Sequence, residues 1–222
     1  VNKGDDLNPR YRSRLVAREI RKHGESSIFA PAPPLESLRT VLSLAATNIE
    51  GAREHDRDPK SPMRTQVSFI DISRAYFNAK TDQEDPTYVD LPDEDPDKAK
   101  GMCGRLQVHM YGTRRAADGW HSEYSQTLGE IGFSRGDASA CVFSHDGRGL
   151  VVSVHGDDFT TEGPKMHLDW FKSELEKHYE LQETARLGPG DEDDKEAKVL
   201  NRIVRWTEEG LEYEADPRQC EQ

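Results

Sequence analysis

The chain has 222 residues, of which 34% are hydrophobic and 32% are charged, and its formal net charge is −12. This length suits one large domain or two small ones, and the low apolar content predicts a lean core under a heavily solvated surface. Taken alone, the acidic total argues against a nucleic-acid-binding protein, because contacts with phosphate need Lys and Arg. The first two dozen residues are nevertheless rich in Lys and Arg, so local charge is more informative than the total.

The cysteines and the apolar runs exclude further classes of protein. Cys103, Cys141 and Cys220 are isolated, so we expect neither a zinc site nor a disulfide framework, but reduced thiols of an intracellular protein. No apolar run reaches transmembrane length and no signal peptide opens the chain, so no membrane partner is expected. We interpret the chain as a piece of a longer protein.

The first half of the chain contains a basic strand, a helix and an apolar strand. Alternation in Arg12–Arg18 predicts a short strand. The apolar spacing of Leu35–Thr47 predicts a helix. Gln66–Ile72 is apolar and β-branched, as is typical of a strand. It leads into a turn or short helix at Ser73–Asn78, and a brief strand is predicted at Tyr88–Leu91.

The second half alternates amphipathic helices with hairpins. No internal repeat is present, and the mixture of elements predicts an α+β fold. The predicted elements are a strand at Met102–Met110, a helix at Ala117–Ile131, a hairpin of Cys141–Ser144 with Leu150–Val154, a helix at His167–Tyr179 and a hairpin of Lys198–Trp206 with Leu211–Glu214.

Three acidic residues lie where apolar strands are predicted. Asp157 and Asp158 follow the apolar run Leu150–Val154, and Gly156 before them permits a tight turn. Asp71 lies inside the predicted strand Gln66–Ile72. Buried carboxylates are costly unless a cation neutralises them. If the two strands are neighbours, Asp71 and Asp157 could hold two Mg²⁺ ions, the arrangement used for in-line phosphoryl transfer.

Simpler interpretations of these acids remain open at this point. A pair of adjacent Asp residues in a turn is most often a solvated surface feature, and a lone Asp in a strand is usually an edge residue or is hydrogen-bonded to a turn. Residue types and spacing alone do not decide between these interpretations and a metal site.

Seven blocks of sequence resemble, in order, the reverse transcriptase of copia-type LTR retrotransposons. Each block alone is weak, but their order and spacing are specific. They are RSRLVARE (Arg12–Glu19), IFAPAPPLESLRTVLSLAA (Ile28–Ala46), FIDISRAYFNA (Phe69–Ala79), TYVDLP (Thr87–Pro92), CGRLQVHMYGTRRAADGW (Cys103–Trp120), GFSRGDASACVF (Gly132–Phe143) and VVSVHGDDF (Val151–Phe159).

The resemblance implies a right-hand polymerase over residues 1–222, with fingers, an antiparallel palm sheet packed on helices, and an absent or truncated thumb. The fingers would cover approximately residues 1–65 and 80–117, and the palm approximately 66–79 and 118–215. It also implies a Pol polyprotein, with RNase H and integrase as neighbours, in a cytoplasmic particle or the nucleus. The partners would be an RNA template, a DNA primer and a dNTP.

The resemblance also implies roles for individual residues. Asp71 and Asp157 would hold two Mg²⁺ ions, or Mn²⁺ in their place, and Asp158 would be the supporting acid. Tyr76 would pack under the sugar of the incoming nucleotide and exclude a 2′-hydroxyl, unless it only fills core. Tyr111 and Gly112 would lie near the nascent base pair.

Two basic residues complete the nucleotide site that the resemblance implies. Arg12 and Arg14 would share one face of the fingers strand and meet the triphosphate, unless that strand is simply a solvated basic one.

Several residues depart from the family pattern. His155 and Gly156 replace a Tyr and an aliphatic residue before the two acids, and Ala117 and Asp118 replace a Pro-Arg pair. Two alternatives to an RNA-directed DNA polymerase are kept, and the altered turn, the acidic charge and the missing thumb favour the first. One is a decayed or co-opted copy that folds, or binds nucleic acid or protein, without catalysis. The other is an unrelated two-metal phosphohydrolase that uses the same acids.

Overall fold

The computed structural model describes residues 7–9, 11, 13, 15–20, 30–47, 58 and 60–214. The chain forms two compact units, and each is described by itself below. The smaller unit contains the described residues up to Ala30 together with Tyr76–Glu123, and the larger unit contains Pro31–Ala75 and the described residues from Tyr124 onward. Among the described residues, no helix has both the length and the apolar character needed to cross a membrane.

Three α-helices form among the described residues, where the apolar spacing predicts them. α1 is Leu35–Ala46 and follows Pro34, α2 is Ala116–Glu130, and α3 is Lys165–Leu175. Proline suits the start of a helix because its missing N–H would have no partner within the helix. Each helix buries residues three or four positions apart, which is the stripe expected of an amphipathic helix.

The core of the larger unit is a six-stranded antiparallel sheet in the order β4-β5-β6-β7-β1-β8. The strand β1 lies near one edge, although it comes first in the chain, because β7 and β8 pair with its two sides. The bounds are β1 Thr65–Ile72, β4 Ser134–Arg135, β5 Val142–His145, β6 Leu150–His155, β7 Asp158–Pro164 and β8 Leu181–Leu187.

Helices cover both faces of this sheet. α1 packs against β1, β6 and β7, and Leu38 and Leu42 join a buried cluster with Val67 and Phe69. α3 also packs against β1 and β7, and Phe171 in this helix is fully buried. Because successive side chains of a strand point to opposite faces, the odd-numbered residues of β1 face α1.

A three-stranded antiparallel sheet follows in the order β11-β10-β9. Its strands are β9 Glu196–Val199, β10 Arg202–Thr207 and β11 Gly210–Tyr213. The hairpin predicted from Lys198 onward is therefore confirmed, but its first arm is divided between β9 and β10. The division occurs at Leu200 and Asn201, whose φ angles of 48° and 64° are left-handed.

The smaller unit corrects two predictions. The strand expected over Met102–Met110 is shorter, because β3 is Cys103–Arg105. It pairs with β2, which is Tyr88–Asp90. Beyond β3, an isolated bridge joins Val108 to Lys80. The strand expected over Arg12–Arg18 is wrong for its described residues, which form no regular strand. Propensity alone did not suffice there, because a strand needs a partner along its length.

The fold class is confirmed at the coarse level, because helices combine with antiparallel sheets. Among the described strands, β4, β7 and β8 have no counterpart among the predicted elements. In β8 the polar residues outnumber the apolar ones, and this strand lies at the edge of the sheet, where burial imposes little pattern. Of the cysteines, Cys103 is exposed and Cys141 is buried, both as free thiols, and Cys220 lies outside the described residues.

Candidate active site

A tight hairpin turn presents the two adjacent acids. β6 ends at His155 and β7 begins at Asp158, so only Gly156 and Asp157 form the turn. Gly156 has a φ of 66°, a left-handed conformation that glycine adopts without steric cost. A Cβ built on Gly156 would meet no atom within 4 Å, so the space beside the turn is open.

Asp71 lies directly opposite Asp158 in the antiparallel pairing of β1 with β7. Residues opposite each other in such a pair point to the same face of the sheet. The turn is tied to β1 as well, because the amide of Ile72 donates to the carbonyl of Asp157 at 2.9 Å. The structure therefore brings Asp71, Asp157 and Asp158 together at one end of the sheet, and we call these three residues the acid cluster.

The negative charges of the acid cluster lie close together, and this proximity affects the ionisation of Asp158. Partial burial and, to a smaller extent, the nearby charges of Asp157 and Asp71 raise the pKa of Asp158 to about 6, while His155 opposes the shift. Desolvation and like charge both disfavour an ionised carboxylate. A bound cation would relieve both effects.

The donor chemistry of the acid cluster fits magnesium. Carboxylate oxygens are the ligands that Mg²⁺ prefers, and it usually takes one or two of them together with substrate phosphates. Within the described residues, no group of three or more His, Cys, Asp or Glu side chains is placed so that it could hold a metal ion. Two carboxylates of the cluster, completed by phosphate oxygens of a substrate, would meet the requirement of Mg²⁺.

A cavity of about 90 Å³ lies beside Asp158 on the α1 face of the sheet. Its apolar wall comes from the start of α1, including Leu35 and Leu38, and from Leu200 in the turn after β9. Its polar wall includes His155 and Asp158. One of the three acids is therefore adjacent to an apolar recess, which is consistent with the partial burial of its carboxylate.

The aromatic residues named from the sequence lie in the smaller unit. Tyr76 is half-buried and its ring lies 4.6 Å from that of Tyr111, centroid to centroid, at an interplanar angle of 39°. Phe77 meets Tyr111 edge-on at 5.6 Å. Tyr76 and Tyr111 are thus brought together, as members of one aromatic cluster.

Gly112 has a structural reason to be glycine. Its φ is 88°, and a Cβ there would lie 1.8 Å from the carbonyl oxygen of Ala17. The N-terminal segment runs against this loop, since the amide of Ala17 donates to Tyr111 at 2.8 Å and that of Glu19 donates to Gly112 at 3.2 Å. Arg12 and Arg14, the two basic candidates, lie outside the described residues.

The family model described as "Reverse transcriptase (RNA-dependent DNA polymerase)" matches residues 1–189, which is most of the chain. The chain belongs to the reverse transcriptase family. The chain is also 24% identical, over 195 residues, to the "Retrovirus-related Pol polyprotein from transposon TNT 1-94" of Nicotiana tabacum. The match covers 84% of this chain and 13% of the tobacco protein. The resemblance to copia-type reverse transcriptases is therefore confirmed.

One neighbour of the acid cluster was not predicted from the sequence. Gln182 in β8 lies opposite Asp71 on the side away from β7. In that segment Glu183 interrupts the apolar spacing of Leu181, Ala185 and Leu187, so no local pattern reveals which residue is opposite Asp71. Only the register of β8 shows that.

Proposed function

We propose that the chain carries the nucleotidyl-transfer site of an RNA-directed DNA polymerase, which joins a dNTP to a primer 3′-hydroxyl. The observation that carries the proposal is the placement of Asp71 opposite Asp158, with Asp157 in the adjoining turn. Two Mg²⁺ ions, when bound, would activate the attacking hydroxyl and stabilise the leaving pyrophosphate.

The three residues of the acid cluster have different proposed roles. Asp71 and Asp157 would hold the ions, because Asp71 lies near the end of β1 and Asp157 lies in the turn that adjoins it. Asp158 would be the supporting acid. Its partial burial beside the cavity disfavours the charged form, and a nearby cation would oppose that effect. The open space beside Gly156 leaves room for a substrate backbone to approach.

The family's architecture gives the two units their proposed roles. The six-stranded sheet of the larger unit would belong to the palm, and the strands β2 and β3 of the smaller unit would belong to the fingers. The three-stranded sheet β9–β11 would grip the primer. Tyr76 would exclude ribonucleotides, Tyr111 and Gly112 would lie near the nascent base pair, and Arg12 and Arg14 would meet the triphosphate.

The macromolecular partners follow from the family and from the printed name of the tobacco relative, a Pol polyprotein. The substrates would be an RNA template and a DNA primer. The other parts of the polyprotein, RNase H and integrase, would act on the same nucleic acid.

The experiment is primer extension on a primed RNA template with Mg²⁺. We expect extension by the wild-type protein, and a loss of at least about 100-fold for Asp71→Asn and Asp157→Asn, since a neutral amide is a poor ligand for a hard cation. Asp146→Asn is the matched control, because Asp146 lies in the turn between β5 and β6, outside the acid cluster. Equal rates for Asp157→Asn and Asp146→Asn would exclude the proposed site.

The second candidate function is a copy that folds and binds nucleic acid or protein without catalysis. The observation that favours it is the altered turn, where His155 and Gly156 replace the residues usual in the family. Binding of a primed template without extension, in Mg²⁺ or Mn²⁺, would support this alternative. Hydrolysis of a phosphodiester in the absence of a primer would instead support the phosphohydrolase.

A further inference from the structure

The pairing of β8 with β1 contains an irregularity next to the acid cluster. Phe69 is opposite Ala185, but the next residue of β1, Ile70, is opposite Glu183. One residue of β8, Thr184, is therefore extra, which is the definition of a β-bulge. Bulges are frequent beside active sites, where they change the direction of a side chain.

The bulge decides which side chain of β8 shares a face with Asp71. In a regular strand, the pairing of Phe69 with Ala185 would continue two residues later as a pairing of Asp71 with Glu183. The extra residue changes the register by one position, so that Gln182 is opposite Asp71 instead. A change of one position moves each following side chain to the other face of the sheet.

Specific contacts hold Glu183 on the opposite face, against α3. The carboxylate accepts a hydrogen bond from the hydroxyl of Ser68 at 2.6 Å and another from Nε of Arg186 at 2.6 Å. Arg186 also pairs with Asp169 of α3. The side chain of Glu183 is 21% exposed and that of Arg186 is 14% exposed, so this is a partly desolvated ion pair and not a surface contact.

A second contact fixes the bulge itself. The hydroxyl of Thr184 donates to the carbonyl of Phe69 at 3.1 Å. A bulge disrupts the regular ladder, and a side-chain donor from the extra residue supplies a partner for a nearby backbone carbonyl. Side-chain contacts therefore hold both Thr184 and Glu183 in place.

We propose that the bulge at Thr184 keeps a fourth carboxylate off the acid cluster and makes Gln182 the neutral residue beside Asp71. The proposal rests on the proposed function, because it takes the acid cluster as the place where cations and a nucleoside triphosphate meet. A carboxylate at that place would bind a cation but repel the triphosphate. The amide of Gln182 carries no charge and can donate a hydrogen bond to a phosphate oxygen.

The first test compares two changes of one charge on neighbouring residues. We expect Gln182→Glu to tighten the binding of Mn²⁺ to the free protein by about tenfold, measured by electron paramagnetic resonance, because it adds a carboxylate to the cluster. We expect Glu183→Gln to change that affinity by less than about twofold, because its side chain lies on the other face and glutamine retains an acceptor oxygen for Ser68 and Arg186.

The outcomes are opposite if β8 is a regular strand. Glu183→Gln would then weaken Mn²⁺ binding and Gln182→Glu would have no effect, and that result overturns the proposal. No effect of either change also overturns it, because Gln182 would then lie away from the cluster. In steady-state extension at saturating Mg²⁺, Gln182→Glu is expected to raise the KM for dNTP several-fold, about the change that one repulsive charge produces, with a smaller effect on kcat.

A second test does not depend on metal or activity. With the native cysteines replaced, the pair Asp71→Cys and Gln182→Cys is expected to form a disulfide on mild oxidation, because cross-strand partners lie within disulfide reach. The pair Asp71→Cys and Glu183→Cys is expected not to form one. Equal cross-linking of both pairs refutes the bulge. Absence of primer extension by the wild-type protein would refute the proposed function alone and leave this result unchanged.

Discussion

Asp71 and Asp158 are direct partners across two antiparallel strands, on one face of the sheet. Their carboxylates repel each other, and Asp157 in the turn adds a third negative charge. Such a pair of like charges destabilises a sheet unless a cation lies between them. Without a bound cation, the crowding of these carboxylates would lower the stability of the folded protein, and thermal unfolding can detect that effect.

The first prediction concerns the pH dependence of stability. The pKa of Asp158 is raised from 3.8 to about 6 by burial and by its acidic neighbours. A raised pKa means that the folded state binds the proton more tightly than the unfolded state. The stability that Asp158 contributes is therefore present below about pH 4 and is lost as the pH rises through about 6.

Asp158→Asn removes this loss. In buffer with EDTA, we expect the variant and the wild type to have nearly the same Tm at pH 4. At pH 7.5 we expect the Tm of the variant to be higher by about 2–4 °C. This difference corresponds to roughly 1 kcal/mol of unfolding free energy, after the effect of burial is reduced for solvent screening. Thermal scans by circular dichroism measure both values. A difference that is constant with pH would contradict the prediction.

Asp169 provides a control, because its contribution to stability is expected to change with pH in the opposite direction. Burial opposes its ionisation, but hydrogen bonds from Lys165 and Arg186 hold its pKa below the usual value. A lowered pKa contributes stability that is present above the unfolded pKa and is lost as the pH falls through the folded one. Asp169→Asn should therefore be less stable than the wild type near neutral pH, and the difference should shrink in acid.

The second prediction separates two roles of Tyr76. If its ring excludes the 2′-hydroxyl, Tyr76→Ala should raise the incorporation of ribonucleotides relative to deoxynucleotides by at least about tenfold. Phe77→Ala is the control, because Phe77 contacts the same Tyr111 ring and is 37% exposed. If Tyr76 only fills core, both variants will lose stability and neither will change the ratio of the two kcat/KM values.

The third prediction concerns a buried ion pair that anchors the start of β1. The guanidinium of Arg64 donates to Asp193 at 2.9 and 3.2 Å, and the two side chains are 3% and 4% exposed. Gln66 donates to the same carboxylate at 2.6 Å and the amide of Gly190 does so at 2.8 Å. These contacts tie the loop before β9 to the strand that carries Asp71.

Arg64→Met would leave the buried carboxylate of Asp193 without its cation. We expect a loss of about 3–5 kcal/mol in the free energy of unfolding, measured with urea. Lys177→Met removes an exposed partner of Glu174 and should cost less than about 1 kcal/mol. Arg64→Met combined with Asp193→Leu should recover much of the loss, and an equally unstable double variant would contradict this explanation.

The fourth prediction tests the contact between Gly112 and the N-terminal segment. Gly112→Ala would place a Cβ 1.8 Å from the carbonyl oxygen of Ala17, so the segment must move. We expect faster hydrogen exchange at the amides of Ala17 and Glu19, which donate to this loop. Gly101 also has a left-handed φ, but a Cβ there would meet open space. Gly101→Ala should therefore lower the free energy of unfolding by about 1–2 kcal/mol without changing exchange at Ala17 and Glu19. Equal exchange in both variants would show that the contact does not hold the segment.

The elements that the sequence predicted correctly are those with a strong local pattern. The apolar spacing of α1 and α3 reflects burial of one helix face, and the apolar run of β1 reflects burial of both strand faces. The elements that were missed or shortened lack such a pattern. β8 is a polar edge strand, and β3 is a short strand in a smaller unit.

The sequence by itself determined the family, the main helices and strands, and the identity of the three acids, because these depend on residue order and local periodicity. Only the tertiary structure decided that Asp71 is opposite Asp158 and that Gln182, not Glu183, is its other neighbour. Strand register depends on pairing between distant segments and on a single extra residue at Thr184. Local propensity carries no information about either, because both are properties of the assembled sheet.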